Sequence, residues 1–440
     1  MPSTPSPARR TVSRRAFGGL AAGTAATAGL AACGGGSGGS GDGPAELRFT
    51  WWGSDARHGY TQEVIDAFNA EHPDIRVTGE FAEWSGYWDR LATTVAANDA
   101  PDIIQMDAIY LRSYADRGAL LDLSTLDGLD TSGIDAEALN TGDTGEGLFG
   151  LVTGLNALTI ITNPRLLEET GQALPDDSSW TWDDYVAAGA AVSGAGVPDV
   201  HGISAGGMDE ITLQSWARQR GEALYSQDGE VVLPTDLLVD WWEHWLGALD
   251  AGAAVPVTLA VEEATASLDQ NGIALGRTAM APFWNTQLTA LAKLSGDPLT
   301  LLRPPRQDPA GSTGLYYKPS MFWSASARTR HPEACATFLD YLVNSTDVAD
   351  LMLTERGVPA NSAVREHITP QLDETDTQVV QYIDDVAGVV EETPPSAPAG
   401  ASGIEEIVRR YGTDVLFRRQ EPAAAAQALV DELTASVQSA

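Results

Sequence analysis

From Glu46 onward, short apolar strands alternate with amphipathic helices along the chain. The first strand covers 47–52, and the helix that follows it over 60–71 carries its apolar residues on one face. Two further strands, over 75–81 and 101–106, are each followed by a helix of their own. Because alternation of strands and helices is typical of a sheet covered by helices, the chain is predicted to have an α/β fold.

The rest of the chain is predicted to be more helical. Helices are expected over 182–192, 208–220 and 237–251, and nearly all of the sequence from His331 onward has helical periodicity. A length of 440 residues allows two or three domains with hydrophobic cores of their own. We therefore expect one strand-rich lobe and a second lobe with more helix.

The charge balance is strongly acidic, with 61 acidic residues, 26 basic residues and a net charge of −35. A surface of this kind repels phosphate backbones, which argues against nucleic-acid binding. Lys293 and Lys318 are the only lysines, and neither follows a glycine as the lysine of a phosphate-binding loop does.

The cysteines and histidines do not predict a metal site. Cys33 and Cys335 are the only cysteines, and the six histidines are scattered singly. No cluster has the spacing of metal ligands, so we expect no metal and no other cofactor. Cys335 lies in a predicted helix over 331–344, where it is expected to be a small buried apolar residue.

The first 32 residues are predicted to be a lipoprotein signal peptide of the twin-arginine type. Arg14 and Arg15 form the arginine pair, a mildly apolar run follows over 17–32, and small residues lead to Cys33 as in a bacterial lipobox. Cleavage before Cys33 would leave a cysteine that carries diacylglycerol and palmitate, and a flexible Gly/Ser tether over 33–45. The mature protein is therefore expected on the extracytoplasmic face of the cell membrane.

Several short motifs, in a fixed order, resemble those of the extracellular solute-binding proteins of ABC importers, in the branch that includes maltose-binding protein. They span about 315 residues and lie behind the lipobox. The matching segments are 49–53, 68–77, 101–104, 118–123, 158–163, 180–183, 276–280, 332–334 and 357–360.

The resemblance implies two α/β lobes, three hinge segments that cross between them, and a ligand cleft between the lobes. Lobe one is expected to cover 46–154 and 304–320, and lobe two 155–303 and 321–440. The crossings are expected at 153–156, 301–304 and 319–323. A cleft of this kind closes by hinge motion.

The same resemblance implies a function. The protein is expected to capture a mono- or oligosaccharide as a monomer and to deliver it to the membrane permease of an ABC importer, without acting as an enzyme. The chain has twelve tryptophans but only nine phenylalanines. Tryptophan offers a wide apolar face and an N–H donor, which suits the flat faces and hydroxyl rims of sugars.

Aromatic and polar side chains near the expected cleft are the candidate sugar contacts. Trp284 is the first candidate, because relatives carry a sugar-stacking tryptophan after the segment 276–280. Asn156 lies where the family has a carboxylate on a hinge strand. The full set of predicted contacts is Trp52, Asp55, Trp84, Asp107, Asn156, Trp284, Asn285 and Tyr317.

Five other tryptophans are expected in the core. They lie at a helix start or cluster on one helix that can bury them. This group is Trp180, Trp182, Trp241, Trp242 and Trp245.

Other functions remain open at the level of sequence. Residues 202–206 match the G-x-S-x-G pattern of a hydrolase with Ser204 as nucleophile, and His244, His331 and His367 follow it. The many carboxylates also allow a glycoside hydrolase. The third alternative keeps the same fold but binds a non-sugar solute, such as a polyamine, a peptide or a phosphate ester.

Overall fold

A computed structural model describes residues 43–395 and 397–439, without the side chain of Ser85. The predicted signal peptide, the lipidation of Cys33 and nearly all of the tether lie outside these residues. From Pro44 onward the chain forms one compact unit. No helix in the described part of the chain has the length and apolar character needed to cross a membrane.

The structure contains short strands and mostly longer helices, which we number in chain order. The strands are β1 (Ala45–Trp52), β2 (Ile75–Ala82), β3 (Ile103–Met106), β4 (Leu151–Val152), β5 (Gly154–Asn156), β6 (Leu158–Thr162), β7 (His201–Ile203), β8 (Thr278–Trp284), β9 (Thr300–Leu302), β10 (Lys318–Pro319), β11 (Phe322–Ala325) and β12 (Val358–Pro359).

The α-helices cover the sheets and form most of the second half of the chain. They are α1 (Asp55–Glu71), α2 (Trp84–Ala96), α3 (Ala108–Asp116), α4 (Ala136–Asn140), α5 (Pro164–Glu169), α6 (Trp182–Gly194), α7 (Glu210–Arg218), α8 (Thr235–Asp250), α9 (Val257–Glu263), α10 (Leu288–Ser295), α11 (Pro332–Asn344), α12 (Thr346–Met352), α13 (Ser362–Ile368), α14 (Glu374–Val386), α15 (Ile404–Leu416) and α16 (Pro422–Gln438).

The first sheet has the strand order β2-β1-β3-β11-β4. Strand β1 pairs in parallel with β2 and β3, whereas β11 runs antiparallel to β3 and β4. Phe49 and Trp51 of β1 are completely buried, as expected for a strand in the middle of a sheet covered on both faces. Because β1, β2 and β3 are parallel, their carboxyl ends meet at one edge of lobe one.

The second sheet has the order β7-β8-β6-β9. Strand β6 is antiparallel to both of its neighbours, and Leu158 at its start is opposite Trp284 at the end of β8. The beginning of β6 and the ends of β7 and β8 therefore share one edge of lobe two.

A small antiparallel sheet, β10-β5-β12, joins the two lobes. Each of its strands connects a segment of one lobe to a segment of the other: β5 leads from β4 to β6, β10 leads into β11, and β12 leads from α12 towards α14. Lys318 of β10 is opposite Asn156, and Val358 of β12 is opposite Leu155. These three strands are the crossings, and we call them the crossing sheet.

The position of the crossings corrects part of the predicted domain division. Residues 300–302 form the edge strand of the second sheet, so the predicted crossing at 301–304 is wrong, and the third crossing lies at Val358–Pro359 instead. Strand β11, which was assigned to lobe two, pairs inside the first sheet. Thr313 O accepts a hydrogen bond from Gln219, just beyond α7, so this segment packs on lobe two rather than lobe one.

The predicted core residues are buried. In lobe two the tryptophans that were expected in the core are at most 5% exposed: Trp180, Trp182, Trp241, Trp242 and Trp245. Helix α16 packs against α8, which carries three of them. Cys335 of α11 is also completely buried, and burial raises the pKa of its thiol to about 12. These predictions are confirmed.

Candidate ligand-binding cleft

Aromatic side chains cover the carboxyl edge of the first sheet. The rings of Trp52, Trp84, Tyr87 and Trp88 have centroids 5.0–5.5 Å apart, mostly in edge-to-face arrangements. Trp52 is 7% exposed, whereas Trp84 at the start of α2 is 43% exposed and forms the open side of the group. Trp84 is therefore an exposed aromatic side chain at this edge of lobe one, and Trp52 packs against it.

Two members of this group have different roles. Tyr87 is buried, and its hydroxyl donates a hydrogen bond to Gln105 O at 2.6 Å, so its role is structural. Trp88 was not among the predicted contacts, although its spacing from Trp84 places both residues on one face of α2. Its ring lies 3.9 Å from that of Tyr110 on α3, which extends the aromatic surface towards the next helix.

The two predicted carboxylates of lobe one lie at helix starts. Asp107 follows β3 directly and caps α3, where its Oδ1 accepts a hydrogen bond from the Ile109 N–H at 3.0 Å. Burial raises the pKa of Asp107, and the nearby Lys318 ammonium opposes that rise. Asp55 is the first residue of α1 and is exposed to solvent.

Trp284 ends strand β8 at the edge of lobe two. Its backbone N–H donates to Gln287 Oε1 at 3.2 Å, which fixes the chain where it leaves the strand. The Trp284 ring meets the ring of Tyr316 edge-to-face at 6.2 Å, and the Lys318 ammonium lies 5.3 Å from the centroid of the tryptophan. Trp284 is partly exposed at this edge of lobe two.

The positive charge of Lys318 acts on carboxyl groups of both lobes. Lys318 belongs to the crossing sheet. Burial raises the pKa of Asp107 in lobe one and of Glu210 in lobe two, and the positive charge of Lys318 partly opposes both rises. The pKa of Glu210 is raised to about 7, mainly by burial and then by Glu405 and Asp209. The charge of one lysine therefore acts on a carboxyl group from each lobe, and of these three residues only Asp107 was among the predicted contacts.

Two further predicted contacts, Asn156 and Asn285, form hydrogen bonds within the protein. Asn156 donates to Lys318 O at 3.3 Å and accepts from the Thr286 hydroxyl at 2.6 Å. Asn285 is completely buried, accepts from the Ala157 N–H at 2.9 Å and donates to a backbone carbonyl of α14 at 3.1 Å.

Tyr317 is another predicted contact that the structure buries. Its side chain is 1% exposed, and its neighbour Tyr316 is the tyrosine that reaches Trp284. We therefore leave Asn285 and Tyr317 out of the proposed ligand contacts and add Tyr316 and Lys318.

Replacing Asn285 with alanine is expected to lower stability rather than affinity. The change leaves the buried Ala157 N–H and the α14 carbonyl without partners, and each unsatisfied buried group costs about 1–3 kcal/mol. We expect the free energy of unfolding, measured in urea, to fall by about 2 kcal/mol or more. If the unfolding midpoint is unchanged and ligand binding is lost, Asn285 contacts the ligand and its exclusion is wrong.

A cavity of about 280 Å³ opens at the same edge of lobe two. Its polar lining includes Ser204, Asp209, Glu263, Asn271 and Gln287, and Phe283 of β8 forms part of its apolar wall. Burial raises the pKa of Glu263 to about 7. A cavity with one aromatic wall and several hydrogen-bonding groups is suited to a polyhydroxylated ligand.

The hydrolase arrangement considered from sequence is not assembled from the residues that were named. Ser204 lies in this cavity, but His367 Nε2 contacts Asp350 at 2.7 Å and His331 precedes α11. His244 packs among the tryptophans of lobe two.

Comparison with known proteins agrees with this architecture. A family model described as bacterial extracellular solute-binding protein matches residues 63–377. A lipoprotein of Streptomyces antibioticus, from the oleD 5′ region, is 25% identical over 342 residues, which cover 73% of this chain and 72% of the relative.

Solved structures with the same fold extend over nearly the whole chain. An extracellular solute-binding protein of family 1 from Alicyclobacillus acidocaldarius is 25% identical with a TM-score of 0.80, covering 91% of this chain and 100% of the other. A periplasmic oligogalacturonide-binding protein from Yersinia enterocolitica is 21% identical with a TM-score of 0.78, covering 90% and 99%. These matches confirm the predicted two-lobe α/β fold. Since the family model also spans well over half of the sequence, the chain belongs to the bacterial extracellular solute-binding proteins.

Proposed function

We propose that this protein binds a carbohydrate in the cleft between its lobes and delivers it to the permease of an ABC importer. The observation that carries the proposal is that each lobe has an aromatic side chain, at least partly exposed, at the edge of its sheet next to the crossing sheet. Trp84 and Trp284 belong to opposite lobes, and Lys318 and Asp107 supply charged groups that can hydrogen-bond to ring hydroxyls. Sugars are bound by this combination of aromatic faces and hydrogen-bonding side chains.

The comparisons support a carbohydrate ligand. The Yersinia protein of the same fold is described as binding oligogalacturonide. A cationic solute such as a polyamine is less well supported, because the Lys318 ammonium stands 5.3 Å from the Trp284 ring and would repel it. A binding role also leaves Ser204 without a catalytic function, so we do not assign an enzyme activity.

A panel of ligands tests this proposal on the compact unit Pro44–Ala440. Mono-, di- and oligosaccharides are compared with polyamines, short peptides and sugar phosphates by their effect on the melting temperature. A ligand that binds only the folded state stabilises it by about 2.7 kcal/mol at a hundredfold excess over Kd. Stabilisation by sugars is expected. Stabilisation by a polyamine or peptide alone would contradict the proposal.

We also propose that Cys33 carries the lipid anchor after export by the twin-arginine route. The lipoprotein among the relatives supports the lipid anchor. Replacing Cys33 with alanine is expected to leave export possible but to release the protein from membranes, because acyl chains supply the membrane affinity. Fractionation of cells that express the full chain measures the effect. Membrane association that persists in this variant and resists salt washing would contradict lipidation at Cys33.

A further inference from the structure

The turn that leads into the third crossing holds a leucine in a strained backbone conformation. Leu353 directly follows α12 with φ +44° and ψ −118°, and the Glu355 N–H donates to Met352 O at 2.9 Å across the turn. These angles are close to those of the first central residue of a type II′ turn, about +60° and −120°, where glycine is usual. Leucine carries a Cβ that crowds the backbone in this region, so the conformation is strained.

Arg356, three residues later in the chain, is anchored inside lobe one. Its side chain is 3% exposed, its Nη1 donates to Gln105 Oε1 of β3, and its Nη2 donates to Thr61 Oγ1 of α1 at 2.8 Å. The guanidinium also lies 4.7 Å from the centroid of the Trp323 ring of β11. Burial lowers the pKa of Arg356 to about 9. Since these partners all belong to lobe one, the side chain ties residue 356 to that lobe.

The backbone of the same residue lies against the crossing sheet. Arg356 O accepts a hydrogen bond from the Ser320 hydroxyl, just beyond β10. The next residue, Gly357, has φ +92°, and a Cβ on it would come within 2.9 Å of the Ser320 Cβ. Arg356 therefore joins lobe one, through its side chain, to the crossing sheet, through its backbone.

The turn connects two points that are both fixed. Helix α12 packs against α1 and α11, and its last residue, Met352, is buried. Three residues separate Met352 from Arg356, so the chain has little freedom in the path between them. The Glu355 carbonyl also accepts from Arg57 Nη2 of α1 at 3.0 Å. A short connection between fixed points can hold a residue in a conformation that it does not prefer.

Close packing is not what holds the turn. A cavity of about 40 Å³ lies beside it, lined by Leu353, Arg356 and Gly357 together with Trp323 and residues of α11, α12 and α13. Atoms that line a cavity lack neighbours on that side, so the turn has room to relax there. Strained residues persist only where their surroundings fix them, which leaves the anchoring of Arg356 as the constraint.

We propose that Arg356 is a positioning residue that clamps the start of the third crossing to lobe one, and that the strain at Leu353 is the consequence of this clamp. Hinge motion is absorbed by a few residues at the ends of elements. Because residue 356 is held, bending at the third crossing takes place in β12 and in the chain after it, rather than in the turn 352–355. This role does not depend on which ligand the cleft binds.

Urea unfolding of paired variants of Pro44–Ala440 tests the clamp. Leu353→Gly and Leu353→Ala both remove the leucine side chain, but only glycine relieves the strain. At an unstrained position the glycine variant is the less stable one, by about two- to fivefold in the ratio of folded to unfolded protein. Here we expect the reverse, with a ratio at least about fivefold higher for Leu353→Gly than for Leu353→Ala. When Arg356→Met is added to both variants, glycine should lose this advantage.

Hydrogen exchange adds a readout that a general loss of stability does not give. Arg356→Met should speed the exchange of backbone amides over 354–361 and leave those of β7, in lobe two, unchanged. Arg419→Met changes an exposed arginine and should alter neither region. If Arg356→Met does not fold, Arg356→Lys replaces it in both measurements, because lysine keeps the charge but lacks the planar fork that bonds Gln105 and Thr61 together.

Three results would overturn the proposal. If Leu353→Gly is no more stable than Leu353→Ala, the turn is not strained. If glycine keeps the same advantage when Arg356 is replaced, the arginine does not impose the strain. If exchange over 354–361 rises no more than exchange in β7, the arginine does not clamp the crossing.

Discussion

Replacing Trp284 with alanine is expected to weaken sugar binding about thirtyfold while the protein still folds. The change removes an aromatic wall of the cleft and leaves water against the face of the sugar. Aromatic anchors at interfaces are worth about 2 kcal/mol or more, which corresponds to a thirtyfold change in Kd. Because Trp284 is partly exposed at the end of β8, its loss creates no closed cavity in the core. Calorimetric titration measures the affinity, and the melting temperature without ligand measures folding.

Trp241 provides the matched control. It is a tryptophan of the same lobe, but its side chain is completely buried in α8. Trp241→Ala should therefore lower the stability by about 3–5 kcal/mol and leave the affinity of the folded fraction unchanged. If Trp284→Ala instead lowers the melting temperature as much as Trp241→Ala and the folded fraction binds normally, Trp284 is a core residue and the proposed site is wrong.

The strands of lobe one could be predicted from sequence because their signal is local. An apolar run that begins near Leu47 and stops at Gly53 specifies β1 with little help from the rest of the chain. The same holds for β2 and β3, whose observed bounds lie within about two residues of the prediction.

The crossings could not be predicted in the same way. Strand β12 has only two residues, and it exists because Val358 pairs with Leu155, about two hundred residues earlier in the chain. A contact at that separation leaves no periodic pattern in the sequence. At each crossing the chain passes from one lobe to the other. A crossing misplaced at 301–304 therefore assigned β11 to lobe two, although it belongs to lobe one.

Sequence reasoning named chain segments for the candidate site, but it could not give the direction of their side chains. Successive residues of an extended chain point to opposite faces, and the sequence does not say which face is turned to the cleft. The inclusion of two buried residues, Tyr317 beside Tyr316 and Asn285 beside Trp284, follows from this ambiguity. Lys318 was missed because a single lysine forms no motif. Its rarity in so acidic a chain was the available signal.

Replacing Arg365 with alanine is expected to lower the free energy of unfolding by about 3 kcal/mol, because two backbone carbonyls lose their hydrogen-bond donor. Arg365 lies in α13, is 3% exposed and holds the third crossing in place. Its Nη1 donates to the carbonyls of Pro359 at 2.9 Å and Ala360 at 2.8 Å, and its Nε donates to Asp384 of α14 at 2.9 Å. The alanine variant leaves these carbonyls unsatisfied and removes a charged link between α13 and α14.

Two further variants decide whether the effect comes from this geometry. Arg365→Lys keeps the charge but cannot reach two carbonyls and a carboxylate together, so an intermediate loss is expected. Arg419→Ala removes an exposed arginine that lies 3.6 Å from Asp414, and exposed pairs of this kind contribute less than about 1 kcal/mol. Urea unfolding of the three variants gives the comparison. If Arg365→Ala costs no more than Arg419→Ala, the guanidinium does not hold the crossing, and the stability of this segment comes from the packing of α12 and α13 instead.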